Sequence, residues 1–147
     1  MFRKILLPTD GSRLAAKGVK AGVKLARALG ARVAGLYVIP PFKPVYGEAA
    51  MYVAPMTPQD YRKLAEKQAK KALAAVEIEA STAGVACETR FVTSEHPWQG
   101  ILKAARACKC DAVAMASHGR GGLGGLLLGS ETSRVLAHSK IPVLVYR

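Results

Sequence analysis

Glycines crowd one short segment of the chain, and that segment has the composition of a phosphate-binding loop. Six of the 14 glycines lie between Gly119 and Gly129, after a predicted strand and before a predicted helix that opens at Ser130. A helix start offers free N–H groups and partial positive charge, and Ser130 and Thr132 would add hydroxyl donors on the first turn. One interpretation is a phosphate cradle made of Gly119, Gly129, Ser130 and Thr132. The other is a flexible turn in which Ser130 caps the helix.

Two well-known phosphate-binding motifs do not fit this segment. The stretch from Gly119 to Gly124 has the pattern G-x-G-x-x-G. In a Rossmann dinucleotide site the helix opens within that pattern, whereas here the predicted helix begins several residues later. The P-loop pattern G-x-x-x-x-G-K-[ST] does not occur in the sequence. We therefore expect neither of these two kinds of site.

A second polar segment, from Pro8 to Ser12, follows the first predicted strand. Its Asp10 stands at the carboxyl end of that strand, which is where parallel α/β sheets bind ligands. The carboxylate could hold a ribose hydroxyl or a metal-bound water. The alternative is an Asx-turn or a helix cap that serves the local backbone alone.

Apolar runs alternate with longer helical patterns, which is typical of βαβ units and predicts a single α/β domain with a parallel sheet. Residues 39–57 have no clear period and contain four prolines, as functional lids and disordered loops do. The predicted strands are 2–7, 32–38, 86–92, 111–116 and 142–146. The predicted helices are 12–29, 58–83, 97–109 and 130–138.

The size and composition of the chain are those of one soluble globular domain. It has 147 residues, of which half are hydrophobic. Three cysteines are too few, and odd in number, for the disulfide framework of a secreted protein. The first apolar run is too short for a signal peptide, and no segment reaches the roughly 20 apolar residues of a membrane span. We expect a cytoplasmic protein that does not engage a membrane.

The chain is also strongly basic, with 22 Lys and Arg residues against 10 acidic ones and a formal net charge of +12. Such a balance fits a nucleic-acid binder, a protein for anionic ligands, or a basic solvated exterior. Lys17, Lys20, Lys24 and Arg27 recur on one face of the first predicted helix, which we interpret as its solvated side. No helix-turn-helix, RNA-binding motif or aromatic stacking platform accompanies the basic residues. A nucleic-acid-binding module is therefore the less favoured alternative.

With these segments together, the chain resembles the universal stress protein family over essentially all 147 residues. The ATP-binding branch of that family carries the motif G-x2-G-x9-G-[S/T]. Gly119 stands at the second glycine and Gly129-Ser130 complete the motif, whereas Ala116 replaces the first glycine. A methyl group at that position could crowd a ribose or a phosphate. The other matching pieces are Ile5 to Ser12, Leu36 to Val38, Met115 to Gly119 and Ile141 to Val145.

The resemblance implies an open five-stranded parallel sheet of order 3-2-1-4-5, with helices on both faces and ATP bound between the first and fourth strands. It implies that adenine lies against Pro8, Thr9 and Asp10 and meets backbone groups of Val38. The residues that flank the ribose and phosphates would be Met115, Ala116, His118 and Gly119, and Arg120 would also belong to the nucleotide site. The residues that bind the phosphate chain would be Gly129, Ser130 and Thr132.

The resemblance also implies a stress-response regulator that dimerises through its last strand, from Val143 to Tyr146. A Mg²⁺ or Mn²⁺ ion would be held mainly by the phosphates of ATP, because few carboxylates lie nearby. His118 could act as a general base, but a histidine beside glycine is also a common hydrogen-bonding loop residue, so we expect at most slow ATP hydrolysis. One alternative is a family member without nucleotide binding that serves as a dimeric scaffold or binds another small molecule.

Overall fold

Five parallel strands form one sheet in the order β3-β2-β1-β4-β5, which confirms the predicted topology. The computed structural model of the chain describes residues 1–118 and 128–147. The strands are β1 (Lys4–Pro8), β2 (Arg32–Ile39), β3 (Cys87–Thr93), β4 (Ala112–Ala116) and β5 (Val143–Tyr146). The helices are α1 (Arg13–Leu29), α2 (Pro58–Thr82), α3 (Pro97–Ala107) and α4 (Ser130–His138).

Alternate residues of the central strands face two separate cores, because successive side chains of a strand point to opposite faces. On one face, Ile5 and Leu7 pack with residues of α1 and α2. On the other face, Leu6 packs with residues of α3 and α4. All three side chains are fully buried. The sheet is therefore covered by helices on both faces, as predicted.

The helix ends depart from the predicted bounds where local capping decides them. Ser12 is the N-cap of α1 and its Oγ accepts the Ala15 N–H at 3.1 Å, so the helix begins one residue later than predicted. Gly30 ends α1 in the left-handed region, with φ of 64°. α3 stops at Ala107, two residues early, because Lys109 also takes a positive φ, 54°.

The segment between β2 and α2 contains an element that the sequence did not predict. A short 3₁₀ helix covers Gly47–Met51, and its residues are exposed. The base of the segment is tied down at two points: the Tyr61 hydroxyl donates to the Pro40 carbonyl at 2.6 Å, and Lys43 pairs with Glu95 at 2.6 Å. The Lys43–Glu95 pair places the start of the segment beside the loop that leads into α3.

The direction of the strand order reverses between β1 and β4, and such a switch point is where open α/β sheets bind ligands. β1 ends at Pro8 and β4 ends at Ala116, so their carboxyl ends lie side by side. The candidate site is thus expected at the ends of β1 and β4.

Within the part of the chain that the structure describes, no helix combines the length and the apolar character needed to cross a membrane.

Candidate functional site

A cavity of about 390 Å³ opens at the carboxyl ends of β1, β2 and β4. Its volume lies within the range of about 300 to 1,000 Å³ that is usual for small-molecule sites. Of the twelve residues that the sequence singled out, Gly119 and Arg120 lie outside the described residues. The other ten all line this cavity: Pro8, Thr9, Asp10, Val38, Met115, Ala116, His118, Gly129, Ser130 and Thr132.

The segment that follows β1 is held in place by a chain of local hydrogen bonds. The Thr9 N–H donates to the Leu36 carbonyl at 2.8 Å and anchors the segment to β2. Asp10 Oδ1 accepts the Ser12 N–H at 2.9 Å, which confirms the Asx-turn interpretation. Gly11 permits the turn because its φ is 77°. Asp10 therefore both stabilises this turn and lines the cavity.

Val38 presents backbone groups to the cavity because β2 continues beyond the end of β1. The last pair between the two strands is Pro8 with Leu36, and the Leu36 carbonyl accepts the Thr9 N–H. In a parallel strand, residues two apart direct their N–H and C=O groups to the same side. The N–H and C=O of Val38 therefore point to the side of β1, past its last paired residue. This is the arrangement that recognition of a base edge by backbone requires.

The start of α4 forms another wall of the cavity, and Gly129 is its N-cap. The Gly129 N–H donates to the Ser117 carbonyl at 2.8 Å, and a Cβ at Gly129 would lie only 3.1 Å from that same oxygen. The alternative in which Ser130 caps the helix is wrong, because Ser130 is the first helical residue. The N–H groups of Ser130, Glu131 and Thr132 have no acceptor within a first helical turn. They are suited to an anion.

Thr132 takes a different part from the one predicted for its hydroxyl. Its side chain is 3% exposed, and Oγ1 donates to the Ala116 carbonyl at 3.1 Å. The hydroxyl proton is therefore committed to the end of β4, where it holds the first turn of α4 against the strand. The exposed hydroxyl of Ser130 is the side-chain donor that remains at this helix start.

Ser117, which the sequence did not single out, organises the residues around it. It is 2% exposed, its N–H donates to the Tyr146 carbonyl at 2.8 Å, and its Oγ is hydrogen-bonded to His118 Nδ1 at 2.9 Å. Because Nδ1 is engaged, Nε2 is the ring nitrogen of His118 that a ligand can use. The sequence does contain one indication that Ser117 belongs to the site, since it directly follows the predicted fourth strand.

Five further residues line the cavity although they were not among the twelve: Ala15, Leu36, Pro97, Ile101 and Glu131. Pro97 and Ile101 belong to α3, which sequence periodicity does not assign to this site. Glu131 connects the two helices, because its Oε2 accepts the Trp98 N–H at 2.7 Å and its Oε1 lies 3.5 Å from Arg134 Nη1. The N-cap of α3, His96, makes no side-chain capping bond. Glu131 therefore caps α3 from the neighbouring helix.

The charges around the cavity are unevenly distributed. Among the described residues that line it, Asp10 and Glu131 are acidic, and there is no lysine or arginine. Over residues 1–118 and 128–147, no group of three or more His, Cys, Asp and Glu residues could hold a metal ion. Attraction for an anion at the described wall therefore comes from backbone N–H groups and the positive end of α4.

A family profile, a relative in sequence and a solved structure are similar to this chain over almost its whole length. The profile described as the universal stress protein family matches residues 1–147. A universal stress protein of Thermus aquaticus, encoded in the 3′ region of a QAH/OAS sulfhydrylase gene, is 31% identical over 147 residues that cover all of both chains. The solved structure of hypothetical protein MJ0577 aligns with a TM-score of 0.79 and 27% identity over 99% of this chain and 95% of that one.

A solved universal stress protein in complex with cAMP has the same fold, with a TM-score of 0.72 over 99% of this chain and 97% of that one. Its sequence identity is 23%, so the likeness concerns the fold alone. The family profile, in contrast, spans the full chain, and the Thermus aquaticus relative matches it from end to end. The chain belongs to the universal stress protein family.

Proposed function

We propose that this protein is a nucleotide-binding regulator that holds ATP in the cavity at the switch point. The observation that carries the proposal is the convergence of three segments distant in sequence, which end β1, end β4 and open α4, on one cavity. Each contains residues that the sequence predicts for nucleotide binding. A protein of the same fold has been solved with cAMP, which indicates that this fold accommodates an adenine nucleotide.

In the proposed complex, the base lies between the end of β1 and Val38, whose backbone groups face that space. The first turn of α4 receives the phosphates, because its N–H groups have no helical acceptor and its start carries partial positive charge. His118 presents Nε2 to the ribose or the phosphates. Gly119 and Arg120 complete the phosphate loop in this proposal.

A Mg²⁺ or Mn²⁺ ion is part of the proposal as a companion of the phosphates. Such ions are often held by one or two carboxylates together with the phosphates of the nucleotide. Asp10 and Glu131 are the carboxylates that line the cavity. The ion would neutralise phosphate charge beside these two acids. We assign no rapid chemical step to the site and propose at most slow hydrolysis of ATP.

The regulatory part of the proposal concerns a homodimer in the cytoplasm that responds to stress. β5 lies at the edge of the sheet, and the side chains of Leu144 and Tyr146 are 37% and 41% exposed. An edge strand has unpaired backbone groups that a second copy can cover. We propose that two copies associate through Val143–Tyr146 and that a partner detects the nucleotide state of the dimer.

Isothermal titration with ATP and Mg²⁺ tests the binding directly. We expect saturable binding, and its absence at millimolar nucleotide would reject the proposal. Gly129→Ala should weaken binding severalfold, because the added Cβ would lie 3.1 Å from the Ser117 carbonyl oxygen and shift the start of α4 by a few tenths of an ångström. The φ of Gly129 is −61°, which alanine adopts freely, so such a loss would not come from backbone strain.

A matched pair on α4 separates the site from the helix in general. Ser130→Ala removes the exposed hydroxyl at the cavity and should weaken ATP binding severalfold. Ser133→Ala removes an exposed hydroxyl from the same helix outside the cavity lining, and it should leave the affinity unchanged. Mass spectrometry of the ligand released on denaturation is the complementary observation. A co-purified metabolite other than an adenine nucleotide would favour the small-molecule alternative instead.

A further inference from the structure

A stripe of five cations runs along the exposed side of α1. Its members are separated by four, three, four and three residues, a spacing that keeps them on one side of a helix. All five side chains belong to exposed residues. With a rise of 1.5 Å per residue, the stripe is about 21 Å long. This α1 stripe consists of Arg13, Lys17, Lys20, Lys24 and Arg27.

The charge of the α1 stripe is not compensated within the part of the chain that the structure describes. None of its five cations forms an ion pair with a carboxylate of residues 1–118 or 128–147. α1 contains no acidic residue, and its first turn holds Arg13 where the helix dipole favours an anion. Neighbours in the stripe have the same sign, which destabilises a helix. An external anion would remove this repulsion.

On the neighbouring helix α2, basic residues are accompanied by acidic residues that balance their charge. α2 packs against the same face of the sheet as α1 and contains five cations, but also four acidic residues. Arg62 and Glu66 form an ion pair at 3.3 Å across one helical turn. The two helices on this face of the sheet therefore differ, because α1 has five cations and no acidic residue whereas the charges of α2 are largely balanced.

We propose that the α1 stripe binds the phosphate backbone of double-stranded nucleic acid without regard to base sequence. Regularly spaced phosphates complement a straight row of cations, and such contacts position a protein on a duplex without reading its bases. None of the five cations lines the cavity at the switch point. The proposal does not depend on ATP binding.

The residues of the stripe favour the phosphates of nucleic acid over an acidic protein or a lipid bilayer as the partner. Three of the five cations are lysines, which are depleted from protein interfaces but are common partners of phosphate. No large apolar side chain is exposed between residues 13 and 29, whereas helices that lie on membranes insert such side chains beside their basic residues. Ala16, the exposed residue between the cations, is small and allows close approach to a backbone.

The test is the salt dependence of binding to a labelled 20-base-pair duplex, measured by fluorescence anisotropy without nucleotide. Five phosphate contacts predict a slope of about −4.5 for log affinity against log salt, because each contact contributes about −0.9. Two duplexes of unrelated sequence should give the same affinity. Lys17→Gln/Lys20→Gln should reduce the slope to about −2.7.

The matched control is Lys103→Gln/Arg106→Gln. These two residues have the same i, i+3 spacing, are exposed, and lie on α3 at the opposite face of the sheet. Glutamine retains good helix propensity, and thermal unfolding by circular dichroism verifies that each double variant is folded. The control pair should leave both the affinity and the salt slope unchanged, although it removes the same net charge as the α1 pair.

Three results would overturn the proposal. One is the absence of duplex binding at about 50 mM salt, where phosphate contacts are strong. Another is equal weakening by the two pairs, since that would assign binding to net charge alone. The last is binding to a membrane. If vesicles of phosphatidylserine and phosphatidylcholine compete fully with the duplex, and if Lys17→Gln/Lys20→Gln abolishes binding to these vesicles, the stripe is a lipid-binding surface.

Discussion

Gly18 on α1 lies against Ala116 at the end of β4. A Cβ at Gly18 would be 3.0 Å from the Ala116 backbone nitrogen and 3.3 Å from the Ala116 Cβ. The methyl group of Ala116 therefore faces α1, while the preceding residue, Met115, packs into the core on the α3 side. The helical residues that line the cavity come from α3 and α4 and, from α1, only Ala15 among the described residues, so this methyl group points away from most of it.

Gly18→Ala should destabilise the protein although alanine favours a helix. The gain in helix propensity is about 1 kcal/mol, whereas overpacking against backbone typically costs about 1 to 3 kcal/mol. We expect a net loss of about 1 kcal/mol in the free energy of unfolding, measured by urea denaturation. Ala116→Gly relieves the contact with the Ala116 Cβ but not the one with the backbone nitrogen, so the double variant Gly18→Ala/Ala116→Gly should lose less stability than the sum of the two single variants. A stabilised single variant would show that α1 and β4 separate easily here.

Ala116→Gly tests whether the methyl group crowds the ligand. Because the methyl group faces Gly18, we expect ATP affinity to change by less than about twofold. Glycine within a strand is destabilising by roughly 0.5–1 kcal/mol, so the free energy of unfolding should fall by about that amount. Titration calorimetry and urea denaturation measure the two effects. An increase in affinity of tenfold or more would mean that the methyl group does obstruct the nucleotide.

Glu131→Ala should loosen the first turn of α3. Its carboxylate accepts the Trp98 N–H at 2.7 Å, and loss of a helix cap costs about 1 kcal/mol. The single tryptophan of the chain should report the change as a shift in fluorescence emission. Glu131→Gln keeps an acceptor and should lose less stability. Glu66→Ala, which breaks the exposed ion pair on α2, should leave the emission unchanged.

The acid limb of stability should depend on Asp111. Partial burial raises the pKa of Asp111, but the N–H groups of Arg3 and Lys4, which donate at 2.8 and 3.0 Å, outweigh it and lower the pKa below its usual value. Because folding lowers this pKa, the ionised carboxylate stabilises the fold at pH values above the unfolded pKa of about 3.9. This stabilisation is lost as the pH falls through the pKa of the folded state.

Asp111→Asn should therefore destabilise the protein by about 1 kcal/mol at pH 7, because one acceptor and the negative charge are lost. The difference from the wild type should shrink as the pH falls below about 3.9, where the wild-type carboxyl group also becomes protonated. Thermal unfolding between pH 7 and pH 2.5 measures it. A difference that stays constant over this range would contradict the assignment.

The elements and most of the described site could be predicted because their signals are local in sequence. Strands and helices follow from the spacing of apolar residues, and polar residues that directly follow a strand are carried to the ligand-binding edge of a parallel sheet. Asp10 and Ser130 were identified in this way. The contribution of α3 to the cavity could not be predicted. Pro97 and Ile101 belong to an ordinary amphipathic helix, and only tertiary packing brings this helix beside the strand ends.

The sequence by itself determined the order of elements, the family motif and the residues that stand at strand ends and helix starts. Only the tertiary structure decided which groups are consumed by other contacts. Glu131 caps α3 across 33 residues, Thr132 gives its hydroxyl to Ala116 across 16, and Gly18 makes room for β4. No periodic pattern encodes such partners, because a hydrogen bond or a close contact depends on positions in space that helices and strands acquire only when they pack together.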